Sequence, residues 1–400
     1  MNVSDDSKSY IDFYNYKESI PVRQVDSLLH RLRRISLYRC LGLHPLSFAN
    51  SDVLELGPGT GDNAKVISQL GLGSLTLVDG ALPSYNELIR KVDSDFFDCK
   101  TKLVYSNIYN YTPDKKFDIV ICEGCSAQSN PSSFFSKVLS LPLKEWGFLC
   151  VSTADTISAL PELIRMHWWH ALAELDEDQQ LEVGQAIFET DFLSLENTSR
   201  SLDDWVLDNI IQPRPSNWSF GIHDLLKLVV QKYPDMKYVS SSPSFFTEWA
   251  WYKSQPKMME HQNLRILKAW HSFAPYTIDL RLSANAPNLI PLPKNIEEEI
   301  RAICDKVSLN TSNIYISNFD QRLSLINDTV LSLRNLVELF ESVHELSLTA
   351  SSIGCAINEL EKLTDTQYQA KDYSSSFSDW WGIGQQYVSL AYCPSYREIT

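Results

Sequence analysis

The sequence predicts an α/β fold: a parallel sheet covered on both faces, interrupted by a helical insertion and extended by a mainly helical C-terminal region. Three observations carry this reading. The run Val53-Leu54-Glu55-Leu56-Gly57-Pro58-Gly59-Thr60-Gly61-Asp62 reads as a buried strand entering a glycine-rich turn. Nearly continuous apolar runs then alternate with helical stretches as far as Ser152, which is the pattern of strands buried on both sides. Several of these runs end in an acidic or amide residue, at the edge where such sheets bind ligands.

Residues 1–50 form an N-terminal helical cap in this reading, with Tyr14, Tyr16, Pro21-Val22-Arg23-Gln24 and a helical run from Val25 to Leu41. Within that run His30-Arg31-Leu32-Arg33-Arg34 is a basic patch, either a solvated helix face or a phosphate site. The core spans 51–155. Alternate glycines in its first turn remove Cβ atoms and permit positive φ, so a ligand can lie on the backbone. A dinucleotide fingerprint would place a third glycine where Asp62 stands. Glu55, just before the turn, would repel a pyrophosphate but suits a cationic amino acid moiety.

A helical stretch, Asn63 to Leu70, and a Gly71-Leu72-Gly73 stop lead to Ser74-Leu75-Thr76-Leu77-Val78-Asp79, a strand ending in a carboxylate suited to a vicinal diol. Leu103 to Ile108 is the third strand and holds Asn107. Phe117 to Gly124 is the fourth and ends in Glu123, and Gly147 to Ser152 is the fifth.

Glu55, Gly57, Gly59 and Gly61 match, without a gap, motif I (E-x-G-x-G-x-G) of the class I S-adenosyl-L-methionine (SAM) methyltransferases, and the chain resembles that superfamily. From Ile20 through Val22-Arg23-Gln24 and Leu37-Tyr38-Arg39-Cys40-Leu41-Gly42-Leu43 it is similar to a functionally undefined bacterial branch. The resemblance implies a Rossmann-like seven-stranded class I methyltransferase sheet, SAM as cofactor and transferase activity. It implies Glu55, Gly57, Pro58, Gly59, Gly61 and Asn63 at the amino acid moiety, with Arg23 reaching the methionine part. Asp79 and Gly80 would meet the ribose, Asn107 and Ile108 the adenine, and Glu123 the methyl group.

Residues 156–232 read as a helical lid insertion on the acceptor side, rich in His167, Trp168, Trp169, His170, Trp205, Trp218, Phe220 and His223. Aromatic rings can stack on a flat acceptor and a histidine can take a hydroxyl proton. Glu123, His167, His170 and His223 are therefore the catalytic candidates, although the same residues would serve as the core of a helical cap. Residues 233–255 are expected to close the sheet as a hairpin, Met236 to Ser240 with Phe245 to Tyr252.

Residues 256–400 form the C-terminal region. A helical stripe runs from Ile326 to Leu360, with a kink or hairpin argued by the slip at Phe340 to Leu346 and by Ser351-Ser352-Ile353-Gly354. An intramolecular bundle or a homodimer seam through these helices would satisfy it. The aromatic tail around Trp380-Trp381 should pack on the cofactor domain or a partner subunit.

Thirty-five basic against 50 acidic residues, a formal charge of -15, argue against a long nucleic acid footprint. The D/N-P-P-Y/F motif of amino-directed nucleic acid methyltransferases is missing after the fourth strand, where Glu123-Gly124-Cys125-Ser126 stands. A small-molecule or glycan hydroxyl is the expected acceptor. The rivals are a non-catalytic SAM-fold binding or scaffold module, an aminopropyltransferase-like enzyme and a nucleic acid methyltransferase. Eight scattered cysteines, with Cys122 and Cys125 as one C-x-x-C, read as reduced thiols without a metal set. The polar amino terminus and the lack of a long apolar run lead to an expectation of a cytoplasmic protein that makes no membrane contact.

Overall fold

The computed structural model describes residues 11, 15, 27–125, 130–195, 198, 200–246, 262–283, 289–365 and 377–394. The chain divides into two compact units: Met1–Ala154, Asn217–Trp270 and Gln385–Thr400 form the first, Asp155–Ser216 and His271–Gly384 the second.

The first unit is built on a seven-stranded sheet of β1 (Asp52–Leu56), β2 (Ser74–Asp79), β3 (Thr101–Tyr105), β4 (Phe117–Cys122), β5 (Leu143–Thr153), β6 (Met236–Ser242) and β7 (Gln386–Tyr392). Their order is β3-β2-β1-β4-β5-β7-β6. The first five strands pair in parallel and β7 runs antiparallel to both of its neighbours. This is the seven-stranded, Rossmann-like sheet that the sequence predicts.

Val53, Leu54 and Leu56 are all wholly buried, which fits a central strand with both faces covered. Val53, Leu75, Leu77, Ile119, Ile121 and Cys150 join Tyr38, Leu41, Phe48, Ala64, Ile67 and Leu88 in one core cluster. The helices Ser27–Cys40, Asp62–Ser68 and Leu82–Asp93 thus contribute to one face. Leu54, Leu56, Val120 and Leu149 are equally buried and, by the two-residue alternation of a strand, point to the other.

Met236–Ser242, the first strand of the hairpin expected between 236–240 and 245–252, forms and pairs with Gln386–Tyr392, which inserts between β5 and β6. Pro243 follows β6 directly and has no N–H to continue a ladder. Phe245 turns its ring onto Trp270, with centroids 4.7 Å apart, and residues 247–252 lie outside those described.

The second unit is helical. Glu177–Leu193 and Phe319–Glu341 each start with a capping box, Asp176 with Gln179 and Asn318 with Gln321. Lys294–Ile314, Phe319–Glu341 and Ser347–Leu363 pack in succession, burying Ile326, Leu333, Phe340, Ile353 and Leu360 within the unit. The expected break falls at His344–Leu346, whereas Ser351 to Gly354 sit inside an unbroken helix. The tryptophan tail also packs here: Trp380 Nε1 donates to Ile278 O at 3.0 Å and Trp381 Nε1 to Ser194 Oγ at 2.9 Å. No helix among the described residues is long and apolar enough to cross a membrane.

Candidate functional site

The three glycines of the first turn are needed for three different reasons. All have positive φ: 64° at Gly57, 57° at Gly59 and 79° at Gly61. A Cβ on Gly57 would run into Cys125 Sγ, and one on Gly61 would come within 2.8 Å of Leu88 Cδ2. A Cβ on Gly59 would meet nothing within 4 Å, so its backbone faces open space. The turn closes with Gly61 N donating to Pro58 O at 3.0 Å, and Lys91 Nζ anchors it through Thr60 O at 2.6 Å. Asp62 lies in the first turn of Asp62–Ser68, where its carboxylate accepts Thr60 Oγ1 at 2.5 Å and suits the positive end of the helix.

Asp79, at the end of β2, is buried beside this turn. Its Oδ2 accepts Gly59 N at 3.2 Å and its Oδ1 accepts Ala81 N at 2.8 Å. Burial pushes its carboxyl up to about 6, against the backbone donors of Ala81, Gly59 and Gly80, which favour the charged form. Asn107 stands two residues beyond β3 and opens a tight turn by accepting Tyr109 N at 3.0 Å, with Ile108 part-exposed next to it. A Cβ on Gly80 would approach Ile11 Cδ1 at 2.8 Å and Asn107 Cα at 3.3 Å, so the two loops meet closely. Asn15 Oδ1 accepts Leu82 N at 2.9 Å, which brings the amino-terminal segment to the same edge. Arg23, Tyr14 and Tyr16 lie outside the described residues.

Glu55 is buried at 3% exposure. Glu123 has a different setting from the one expected of a catalytic base. Arg34 Nη2 donates to its Oε1 at 2.5 Å and also contacts Oε2, and Arg34 Nη2 reaches Tyr38 OH at 2.8 Å. Asn63 Nδ2 approaches Oε2 at 3.4 Å. Burial is the largest single influence and opposes the Arg34 charge, but Glu123, Tyr38 and Tyr387 together outweigh it and hold the guanidinium well above its ordinary range. Both carboxylate oxygens are thus engaged within the fold.

Arg34 was not foreseen here, because it belonged to a patch read as solvated or phosphate-binding. On the helix His30, Arg34 and Tyr38 are buried while Arg31 and Leu32 are exposed. The signal was the polar i, i+4, i+8 stripe, which puts these three on one face.

Two of the three candidate histidines sit in the helical unit. His167 is wholly buried, with Nδ1 3.0 Å from Leu163 O and Nε2 2.9 Å from Thr329 Oγ1. Burial lowers it to about 4, so it is neutral near pH 7 with both nitrogens engaged and none left for an acceptor proton. His170 packs against the Phe319 ring at 4.8 Å, and burial, then the Arg322 charge, lower it to about 4. His223, in the sheet unit, keeps 23% of its side chain exposed, with Nδ1 3.5 Å from Asp224 Oδ1. The lid aromatics are largely used in packing: Trp168, Trp205 and Trp218 are buried, and Phe220 stacks on Phe135 at 4.5 Å.

Cys122 is buried and Cys125 half-buried, both as thiols. A hydrogen bond with Cys125, together with burial, raises the Cys122 thiol well above its ordinary range, so neither an exposed thiolate nor a metal ligand is favoured there. Among the described residues no cluster could hold a metal ion.

No protein-family model matches the chain and no curated protein matches it. Among solved structures it is similar to an S-adenosylmethionine-dependent methyltransferase from Clostridium acetobutylicum, at 22% identity over 35% of this chain and 55% of that one, with a TM-score of 0.29. It is similar to the N-methyltransferase NodS from Bradyrhizobium japonicum in complex with S-adenosyl-L-homocysteine, at 15% identity over 39% and 78%, TM-score 0.31. It is also similar to PKMT2 from Rickettsia typhi, at 15% identity over 64% and 53%, TM-score 0.44. The chain thus spans little more than half the length of the first and the last of these. These likenesses bear on the fold alone.

Proposed function

We propose that the chain is a SAM-dependent methyltransferase that O-methylates a small-molecule or glycan hydroxyl. One observation carries the cofactor assignment: the buried carboxylate of Asp79 is bonded to the backbone of the open Gly59 turn, with buried Glu55 closing the strand before it. The Asp79 carboxylate, the bare backbone of the turn and the Glu55 carboxylate follow one sheet edge, which supports a ribose next to a methionine moiety in this reading.

SAM would supply an electrophilic methyl group on a sulfonium. In this reading Glu55 and the 57–61 turn hold the amino acid moiety, Asp79 and Gly80 the ribose, and Asn107 with Ile108 the adenine. Glu123 and Arg34 keep Asn63 and the end of β4 in place. The chain's contribution is mostly alignment and exclusion of water, with proton removal from a hydroxyl acceptor. The group for that step in this reading is His223, whose partly exposed ring lies beside Asp224.

A non-catalytic SAM-binding module is the rival that a specific observation favours, because Glu123 and His167 are both engaged within the fold. Calorimetry with SAM tests the cofactor assignment. Saturable binding is expected, and no heat at millimolar SAM sinks it. Mass spectrometry of extracts incubated with protein and methyl-labelled SAM separates enzyme from module: a labelled product supports the former.

A further inference from the structure

Thr153, the last residue of β5, lies directly opposite Gln386, the first residue of β7. Opposed residues of an antiparallel pair project to the same face, close enough for their side chains to share one ligand. Alternation puts them on the face opposite to Ser152, whose Oγ accepts the N–H of Gly124 at 2.8 Å, and opposite to Tyr387, which packs against the core cluster. Both side chains are wholly buried, at 0% exposure. Neither Thr153 Oγ1 nor the Oε1 or Nε2 of Gln386 has a hydrogen-bond partner.

Three such atoms in one cross-strand pair are exceptional, because buried polar side-chain atoms are nearly always bonded. A fold that only needed a packed edge would do better with valine and methionine. The position also matters. Thr153 ends a parallel strand, at the sheet's carboxyl edge, where ligands of this architecture bind. The next residue, Ala154, forms an antiparallel bridge with Phe220.

We propose that Thr153 and Gln386 form a recognition pair for a neutral polyhydroxyl group, such as the vicinal hydroxyls of a sugar. The amide oxygen accepts from one hydroxyl, the amide N–H donates to its neighbour, and the Thr153 hydroxyl takes either role. A carboxylate or an ammonium would find no countercharge in this pair. Both side chains are shut off from solvent, so a group held between them is sealed from water. Naming this group the methyl acceptor rests on the methyltransferase reading; the binding pair itself does not.

The test uses Thr153→Val and Gln386→Met in the full chain, with the methyl glycosides of glucose, galactose, mannose and rhamnose as probes. Saturation-transfer NMR in the presence of S-adenosylhomocysteine should give a signal for at least one glycoside with the wild-type protein. Either substitution should weaken it about fivefold or more, the value of a neutral hydrogen bond. Both variants should melt no lower than the wild type, since each removes unbonded polar atoms. No signal from any glycoside, a signal unchanged in both variants, or a melting temperature lowered by more than about 5 °C in both overturns the proposal. Calorimetry with S-adenosylhomocysteine on the same samples separates the two ideas. Its failure removes the methyltransferase reading and leaves the glycoside result standing.

Discussion

The two units each bury an arginine against a carboxylate, and the two pairs are built differently. In the helical unit Arg165 spends its whole guanidinium: Nε on Asp191 at 2.5 Å, Nη1 on Pro161 O and Trp380 O, Nη2 on Phe377 O and Ser378 O. The rings of Phe377 and Trp381 lie against it at 4.8 and 3.8 Å. In the sheet unit Arg34 directs one Nη2 to Glu123 and Tyr38, while its buried Nε has no partner. A saturated pair is a fastener: it ties the 377–381 segment to the Leu160–Arg165 helix. An unsaturated one at the ligand edge of a sheet keeps donor capacity in reserve, which suits a site.

The largest effect should come from breaking the fastener. Asp191→Ala leaves Arg165 charged and buried at 0% exposure, a situation that costs about 3–5 kcal/mol. Urea unfolding should show that loss, and a midpoint near the wild-type value would mean that Arg165 is held by its carbonyls and rings alone.

Next comes Asp79, where affinity and stability should move in opposite directions with pH. Asp79→Ala should weaken SAM binding by about one to two powers of ten, the worth of charge-assisted bonds to a diol. Its carboxyl is raised from 3.8 to about 6, so the folded state prefers the protonated form. Stability from this group is complete below the ordinary value and is lost as pH rises through about 6, on the order of 3 kcal/mol in all. Binding needs the carboxylate, so affinity should fall as pH drops through the same window. Calorimetry at pH 5 and 7, with Asp79→Asn as reference, checks both signs; parallel trends would move the ribose elsewhere.

These residues show how far the sequence carries. The places of Glu55, the glycines, Asp79 and Asn107 at the ends of strands were legible because strand ends are visible as apolar runs. Arg34 was not, since a run of Arg and His looks solvated until its spacing puts His30, Arg34 and Tyr38 on one face. The seventh strand was missed for a topological reason. Gln386-Tyr387-Val388-Ser389-Leu390-Ala391-Tyr392 carries strand character, but its partners are far away in the chain, and a sequence-local hairpin is the commoner solution. Gln386 could not be singled out before that pairing was known.

Glu123→Gln sharpens the comparison on the unsaturated side. The shape is kept, but Arg34 loses its counterion, at a cost of about 1–3 kcal/mol. SAM affinity should fall modestly, with no limb lost from the pH profile of turnover. Loss of a limb would make Glu123 a base after all.

The smallest expected effect concerns His167, which follows the fastener's logic inside the helical unit: both nitrogens are bonded and the ring is buried. His167→Gln keeps one of the two bonds, so stability near pH 7 should fall by about 1–2 kcal/mol. Because its folded value is lowered from 6.5 to about 4, its contribution is complete above 6.5 and is lost as pH falls through about 4. The substitution should therefore matter less at pH 4 than at pH 7. Turnover per folded molecule should stay within about twofold, whereas removing a general base typically costs a hundredfold or more. A loss of that size would show that the helical unit rearranges during turnover to release this ring.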